Sequence, residues 1–321
     1  MAKSGEWIIE ITEAEAQTLC DAVSRTDGRD ALDLSADDFP LAAAAAKIAE
    51  FRHQAVDGRG VALLRTGLAG LTEEEARRLI WGIGQHMGIP QKQDGRGTLL
   101  HDVRDTGADY TKQHDIRVYQ TKSEQPFHND GADLFCLYCR RQASFGGRSM
   151  IVSAHTVFNE ILDRRPDLAR VLTEPFYFDA RGQQLPGRPW YQTLPIYLQH
   201  QGNWFVMHKR HYIDLAQRND EIPRLTAAQT EALDLMDAIC HDPAFNMTFE
   251  MQPGDLVLGS NHTLLHARTA FDDPKEGQDL SRERRHMLRL WLGVDGGVAL
   301  PPAYRETREF GYLFETTNRA T

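Results

Sequence analysis

Polar residues cut the apolar positions of this chain into many short runs, and only a few stretches keep a helical period. Residues 12–25 open with Thr12 and carry Glu15 three positions later, the reciprocal hydroxyl–carboxylate arrangement that caps a helix start. Thr72 and Glu75 repeat it ahead of ARRLIWGIGQHMG, which predicts a helix over 73–87. Thr226 and Gln229 repeat it again before TEALDLMDAIC, where Leu233, Met236 and Ile239 fall near helical spacing. A shorter helix is predicted over 155–164, ending before Pro166 because proline disfavours helical backbone in the residue ahead of it.

Between these segments the pattern is strand-like. The candidates are 60–65, 115–120, 133–140, 149–153, 176–180, 203–209, 246–251, 255–260 and 286–294, each bounded by Gly, Pro, Asn or Asp. Many short strands with peripheral helices predict a mainly β fold: a sandwich, barrel or jelly roll. No change of composition marks a linker, so one domain over 1–321 is expected. The polar stretches 89–114 and 272–284 read as long loops, and the first as an active-site lid.

The totals narrow the classes of function. With 321 residues, 41% of them hydrophobic, the chain can bury a large core. A net charge of -10 argues against nucleic acid or an anionic membrane as partner. Four cysteines in so long a chain do not make a secreted disulfide framework. The first residues lack the apolar core of a signal peptide, and no run approaches a membrane span, so a cytoplasmic protein is expected. Cys136 and Cys139 sit in the apolar LFCLYC, where odd spacing sends them to opposite faces of a strand, and no second pair completes a zinc site.

The chemistry begins at PFHNDGAD, residues 126–133. In a strand, His128 and Asp130 share a face. An imidazole and a carboxylate are two legs of the 2-His-1-carboxylate triad that holds Fe(II) and leaves positions open. The third leg must come from a distant strand; His266 is the candidate and His262 its rival. In RRHMLRLWLGV, Arg285, Met287, Arg289 and Trp291 share one face and His286, Leu288, Leu290 and Leu292 the other. Two inward arginines are costly unless an anion meets them, and a guanidinium grips a carboxylate with two hydrogen bonds. Tyr119, Asn129, Trp190 and the basic HKRH at 208–211 are further candidates for a pocket wall.

Together these blocks resemble the TauD/TfdA family of Fe(II)- and 2-oxoglutarate-dependent oxygenases. FHNDGAD, FGGRSMIVSA (145–154), LLHARTAF and RRHMLRLWL follow one another in the family's order. The resemblance implies a double-stranded β-helix (jelly-roll) core with a helical insert over 116–295 and a variable N-terminal part over 1–115. It implies Fe(II) on His128, Asp130 and His266, with O2 as oxidant. Ser149 and Arg285 would hold the distal carboxylate of 2-oxoglutarate, and Arg289 would face a small-molecule substrate; Asn129, between the two ligands, is a further candidate for substrate contact by its position. A long acidic loop separates His266 from Arg285, so Arg282 or Arg284 are alternatives to Arg285. The carboxylate at Asp130 argues against the related halogenases, which carry a small residue there. The implied activity is hydroxylation of an unactivated C–H bond in a small anionic or amino-acid-like molecule, by a chain that is a candidate homo-oligomer. A zinc hydrolase with the same three ligands and a non-catalytic jelly-roll binding protein are the rival readings.

Overall fold

The computed structural model describes residues 6–107, 120–182, 184, 187–273 and 284–305. In chain order its strands are β1 (Ile8–Glu10), β2 (Val61–Arg65), β3 (Ile89–Pro90), β4 (Leu100–Val103), β5 (Gln125–His128), β6 (Leu134–Arg141), β7 (Phe145–Gly146), β8 (Ser149–Ser153), β9 (Pro175–Asp179), β10 (Tyr191–Pro195), β11 (Tyr197–His200), β12 (Asn203–Val206), β13 (Asn246–Phe249), β14 (Asp255–Ser260), β15 (Leu264–Arg268), β16 (Phe271–Asp272) and β17 (His286–Gly293). The helices are α1 (Glu13–Arg25), α2 (Ala45–Val56), α3 (Glu73–Met87), α4 (Ala154–Arg164), α5 (Pro166–Val171), α6 (Arg210–Ala216), α7 (Ala227–His241) and α8 (Pro302–Arg305).

Two sheets carry the fold. A seven-stranded sheet runs β1-β2-β14-β6-β17-β3, with β4 also paired to β17. A four-stranded sheet runs β13-β8-β15-β5. Strands distant in sequence lie side by side, as β14 between β2 and β6 and β15 between β8 and β5. This interleaving is the jelly-roll arrangement.

The two-faced pattern of β17 explains how the larger sheet is covered. Leu288, Leu290 and Leu292 enter an apolar cluster with Leu79, Ile80 and Ile83 of α3. Met287 and Trp291 enter a second cluster on the opposite face, with Phe127, Phe135 and Ile151. Cys136 belongs to the first cluster and Cys139 to the second, so the odd spacing does separate them. Both are free thiols, each pushed up to about 12 by burial. The three predicted capping boxes form, at Thr12/Glu15, Thr72/Glu75 and Thr226/Gln229.

The structure also departs from the sequence pattern. α2 covers an alanine-rich stretch with no side-chain cap, stabilised by alanine's intrinsic preference and by burial of Ile48, Phe51 and Ala55. Pro166 ends α4 as expected but also starts α5, where its missing N–H costs nothing. The stretch 89–114 is not a simple loop: β3 and β4 extend the larger sheet beside β17. The candidate strand 115–120 and Tyr119 lie outside the described residues, except for Gln120. Among the described residues, no helix is long and apolar enough to cross a membrane.

Candidate metal centre and active site

β5 and β15 are antiparallel neighbours whose register sets His128 directly opposite His266. Their rings lie 4.2 Å apart, centroid to centroid. β5 ends at His128, so Asp130 is held by a turn rather than by strand alternation. Its backbone N–H donates to Asn261 Oδ1 at 2.9 Å. The turn returns the carboxylate to the histidines: His128 Nε2 lies 3.9 Å from Asp130 Oδ1 and His266 Nε2 lies 3.8 Å from Asp130 Oδ2. One ligand atom from each residue falls within 4.8 Å of the others, a cluster able to hold a metal ion. His262 is not part of it; its Nε2 lies 2.7 Å from Asp133 Oδ1.

Local contacts prepare these groups for a cation. His128 Nδ1 lies 2.9 Å from the Pro126 carbonyl, which only accepts, so Nδ1 carries the proton and Nε2 presents its lone pair. The Gln125 amide donates to that lone pair at 2.9 Å and must yield it to a metal. Burial holds His128 down to about 4, and burial together with His128 holds His266 well below the usual imidazole range. Burial alone would raise Asp130, but the positive charge of Arg289 beside it outweighs burial and keeps the carboxyl well below the ordinary range. Two neutral imidazoles and one carboxylate are the forms that bind a divalent metal.

The carboxylate is oriented from β17. Trp291 Nε1 donates to Asp130 Oδ2 at 2.9 Å, and Arg289 Nη1 lies 3.4 Å from both carboxylate oxygens. Arg289 is itself set by Gln93, whose Oε1 accepts from Nε at 2.7 Å while its amide donates to the Arg289 carbonyl at 2.8 Å. Sequence reasoning missed Gln93, which sits in the stretch read as a lid yet is only 2% exposed. Lys209 belongs to the basic HKRH stretch. It is buried and adds a positive charge felt by all three ligand groups. Its neighbours serve structure: His208 faces Asp237, and Arg210 pairs with Asp214, Asp234 and Asp237. A second cluster, Glu73, Asp102 and His286, already holds the Arg77 guanidinium 2.5 Å from Asp102, which disfavours a metal cation there.

Away from the triad, the same face turns cationic. Arg285 precedes β17, is 4% exposed, and keeps its Nη1 buried without a partner. Burial holds its guanidinium down to about 10. Arg284 is only half-buried and Arg282 lies outside the described residues, so Arg285 is the arginine the fold turns inward. Gly146 and Gly147 explain the FGG motif. Both have positive φ, at 76° and 69°, where side chains other than hydrogen are strained. A Cβ on Gly146 would meet the Ala270 carbonyl at 2.2 Å, and one on Gly147 would meet Arg285 Nε at 3.1 Å. Ser149 follows on β8, paired with Arg268 of β15. Arg268 is buried too and held down to about 9 by burial, with the Arg285 charge adding to the shift.

One expected pocket residue is committed to the backbone instead. Asn129 is fully buried and its amide is committed: Nδ2 donates to the carbonyls of Val206 and Asn261 at 2.8 and 3.0 Å, and Oδ1 accepts from the His208 N–H at 2.8 Å. This corrects the expectation of a substrate contact, since neither amide hydrogen remains to donate. Asn129→Ala is expected to lower stability by roughly 2–4 kcal/mol, through the orphaned backbone groups. Denaturant unfolding of the variant checks this; a change within about 0.5 kcal/mol would mean water replaces the amide. Trp190 donates to Glu221 at 2.7 Å beside the β9–β10 hairpin.

A jelly roll that brings two histidines and one carboxylate together, with a buried arginine donor left without an acceptor, is the scaffold of a non-haem metal oxygenase. The family model for "Taurine catabolism dioxygenase TauD, TfdA family" matches residues 26–291. The chain belongs to this family, and its cofactor is Fe(II), used with 2-oxoglutarate and O2. It is 29% identical over 307 residues to the FR-33289 synthase of Streptomyces rubellomurinus (strain ATCC 31215), covering 93% of this chain and 88% of that one. Among solved structures it is similar to an asparagine oxygenase in complex with Fe(II), 2S,3S-3-hydroxyasparagine and succinate. There the TM-score is 0.65 at 16% identity, over 89% of this chain and 94% of the other. It is also similar to the non-heme iron oxygenase OrfP in complex with Fe and alpha-ketoglutaric acid, with a TM-score of 0.61 at 15% identity, over 90% and 94%.

Proposed function

We propose that this oxygenase hydroxylates an unactivated C–H bond in a small anionic or amino-acid-like molecule, at a site that His128, Asp130, His266, Ser149, Arg285 and Arg289 share. The observation that carries the reading is the two-ended site. A metal-binding triad lies at one end, and at the other Arg285 keeps a buried donor without an acceptor. When bound, Fe(II) with 2-oxoglutarate and O2 supplies the oxidising power, and succinate and CO2 are the coproducts.

The protein's own residues do the rest. His128, Asp130 and His266 would hold the metal, two imidazole nitrogens and one carboxylate as donors. Arg285 grips the distal carboxylate of 2-oxoglutarate with its planar fork, and the Ser149 hydroxyl adds a donor. Trp291 and Arg289 keep the Asp130 carboxylate ionised and aimed. Arg289 also offers the charge that an anionic group of the substrate would meet beside the metal. The buried walls exclude water, which strengthens each of these contacts. The hydroxylated amino acids named for two structural neighbours, hydroxyasparagine and (3S)-hydroxy-L-Arg, support an amino-acid-like substrate. A zinc hydrolase would leave Arg285 without a task.

The test is succinate release by protein loaded anaerobically with Fe(II), screened against amino acids and small carboxylates, phosphates and sulfonates. We expect release that needs both O2 and 2-oxoglutarate and rises with at least one such compound. Hydrolytic turnover by the Zn(II) form, without 2-oxoglutarate, would overturn the reading.

A further inference from the structure

We propose that Arg268 is a second guanidinium for the distal carboxylate of 2-oxoglutarate, approaching from β15 while Arg285 approaches from the start of β17. The inference rests on the 2-oxoglutarate reading above, which makes no use of Arg268.

Placement comes first. Arg268 lies two residues beyond the metal-binding candidate His266 on the same strand, so the two side chains share a face. That step is about 7 Å along the strand, a span open to a five-carbon dicarboxylate chelated at the metal. Ser149 is the cross-strand partner of Arg268, as Ile151 is of His266, which puts the Ser149 side chain on the same face. Arg268 and Arg285 meet at one ring: their guanidinium carbons lie 4.6 and 5.3 Å from the centroid of Phe271.

The donors are what demand a ligand. Arg268 is 5% exposed and Arg285 4%. Arg268 Nη2 donates to the carbonyls of Thr121 and Ser123, which fixes the plane of its fork. Its Nε and Nη1 remain buried without partners, as does Nη1 of Arg285. Among the described residues neither guanidinium forms an ion pair; the neighbouring Asp273 spends Oδ1 on the Arg285 backbone N–H at 2.9 Å. Two like charges buried together are strongly unfavourable until an anion joins them. A carboxylate has lone pairs enough for both guanidiniums and the Ser149 hydroxyl at once. Arg289 stands at the metal end beside Asp130, so the anion between Arg268 and Arg285 is the cosubstrate's and not the substrate's.

The experiment compares 2-oxoglutarate with 2-oxopentanoate, which chelates a metal through the same 2-oxo acid but ends in a methyl group. Binding of each to anaerobic Fe(II)-loaded protein is followed by the absorption of the chelate. Wild type is expected to prefer 2-oxoglutarate strongly. Arg268→Gln is expected to reduce that preference at least about tenfold, through loss of 2-oxoglutarate affinity alone. Should the Gln variant not fold, Arg268→Lys keeps the charge but loses the fork and is expected to lose part of the same preference. Equal weakening of both acids, or of neither, would overturn the assignment by showing that Arg268 only holds Thr121 and Ser123. A wild type that does not distinguish the two acids would instead overturn the 2-oxoglutarate reading itself, and this inference with it.

Discussion

Asp130→Asn is expected to lose bound iron and to release no measurable succinate above background. The carboxylate supplies the only negative charge in the triad, and its amide replacement is a poor ligand for a hard divalent cation. Removing outer partners of metal ligands typically costs about 10–100-fold, and removing a ligand itself costs more. The stability of the protein should respond differently to Asn and Ala. Asn keeps an acceptor for Trp291 Nε1, now 2.9 Å from Asp130 Oδ2. Ala leaves that donor and the Arg289 guanidinium without the carboxylate, a loss of about 3–5 kcal/mol for a broken buried pair. Iron content, succinate release and denaturant unfolding of both variants check the two halves. Undiminished turnover in the Asn variant would remove Asp130 from the metal site.

The parts of this site that sequence could reveal are those set by local geometry. Arg285, Arg289 and Trp291 fall on one face by the period of two in RRHMLRLWLGV, and although all of β17 is buried, its apolar residues enter two different clusters by that period, Met287 and Trp291 one and Leu288, Leu290 and Leu292 the other. The capping boxes were legible because both partners lie within one turn. His128 and Asp130 were paired for an incomplete reason. Strand alternation does not carry the chain past His128, and it is Asn261, far along the sequence, that turns Asp130 inward. The same non-local contacts misled the reading of Asn129, whose partners Val206, His208 and Asn261 come from distant segments. Gln93 and Arg268 were passed over because each gains its role only from a neighbour across the sheet: Arg289 for the first, Ser149 and Phe271 for the second.

Arg285→Gln is expected to raise the 2-oxoglutarate concentration needed for half-maximal turnover by roughly 30–1000-fold, since truncating one partner of a buried charged contact costs about 2–4 kcal/mol. Turnover at saturating 2-oxoglutarate should fall much less, because the distal carboxylate does not change charge during the reaction and its grip is uniform binding. The ligand-free protein offers an independent check. Arg285 is buried with Nη1 unpartnered and makes no ion pair among the described residues, so its charge burdens the fold until an anion arrives. Replacing it with neutral glutamine should leave the melting temperature of the free protein unchanged or higher, while the rise in melting temperature on adding metal and 2-oxoglutarate should shrink. A purely structural arginine would give the reverse, a less stable free protein with cosubstrate affinity preserved. Arg284→Gln serves as the register control. Its side chain is only half-buried, so it should bind 2-oxoglutarate as wild type does, and transfer of the defect to that variant would shift the start of the β17 face by one residue.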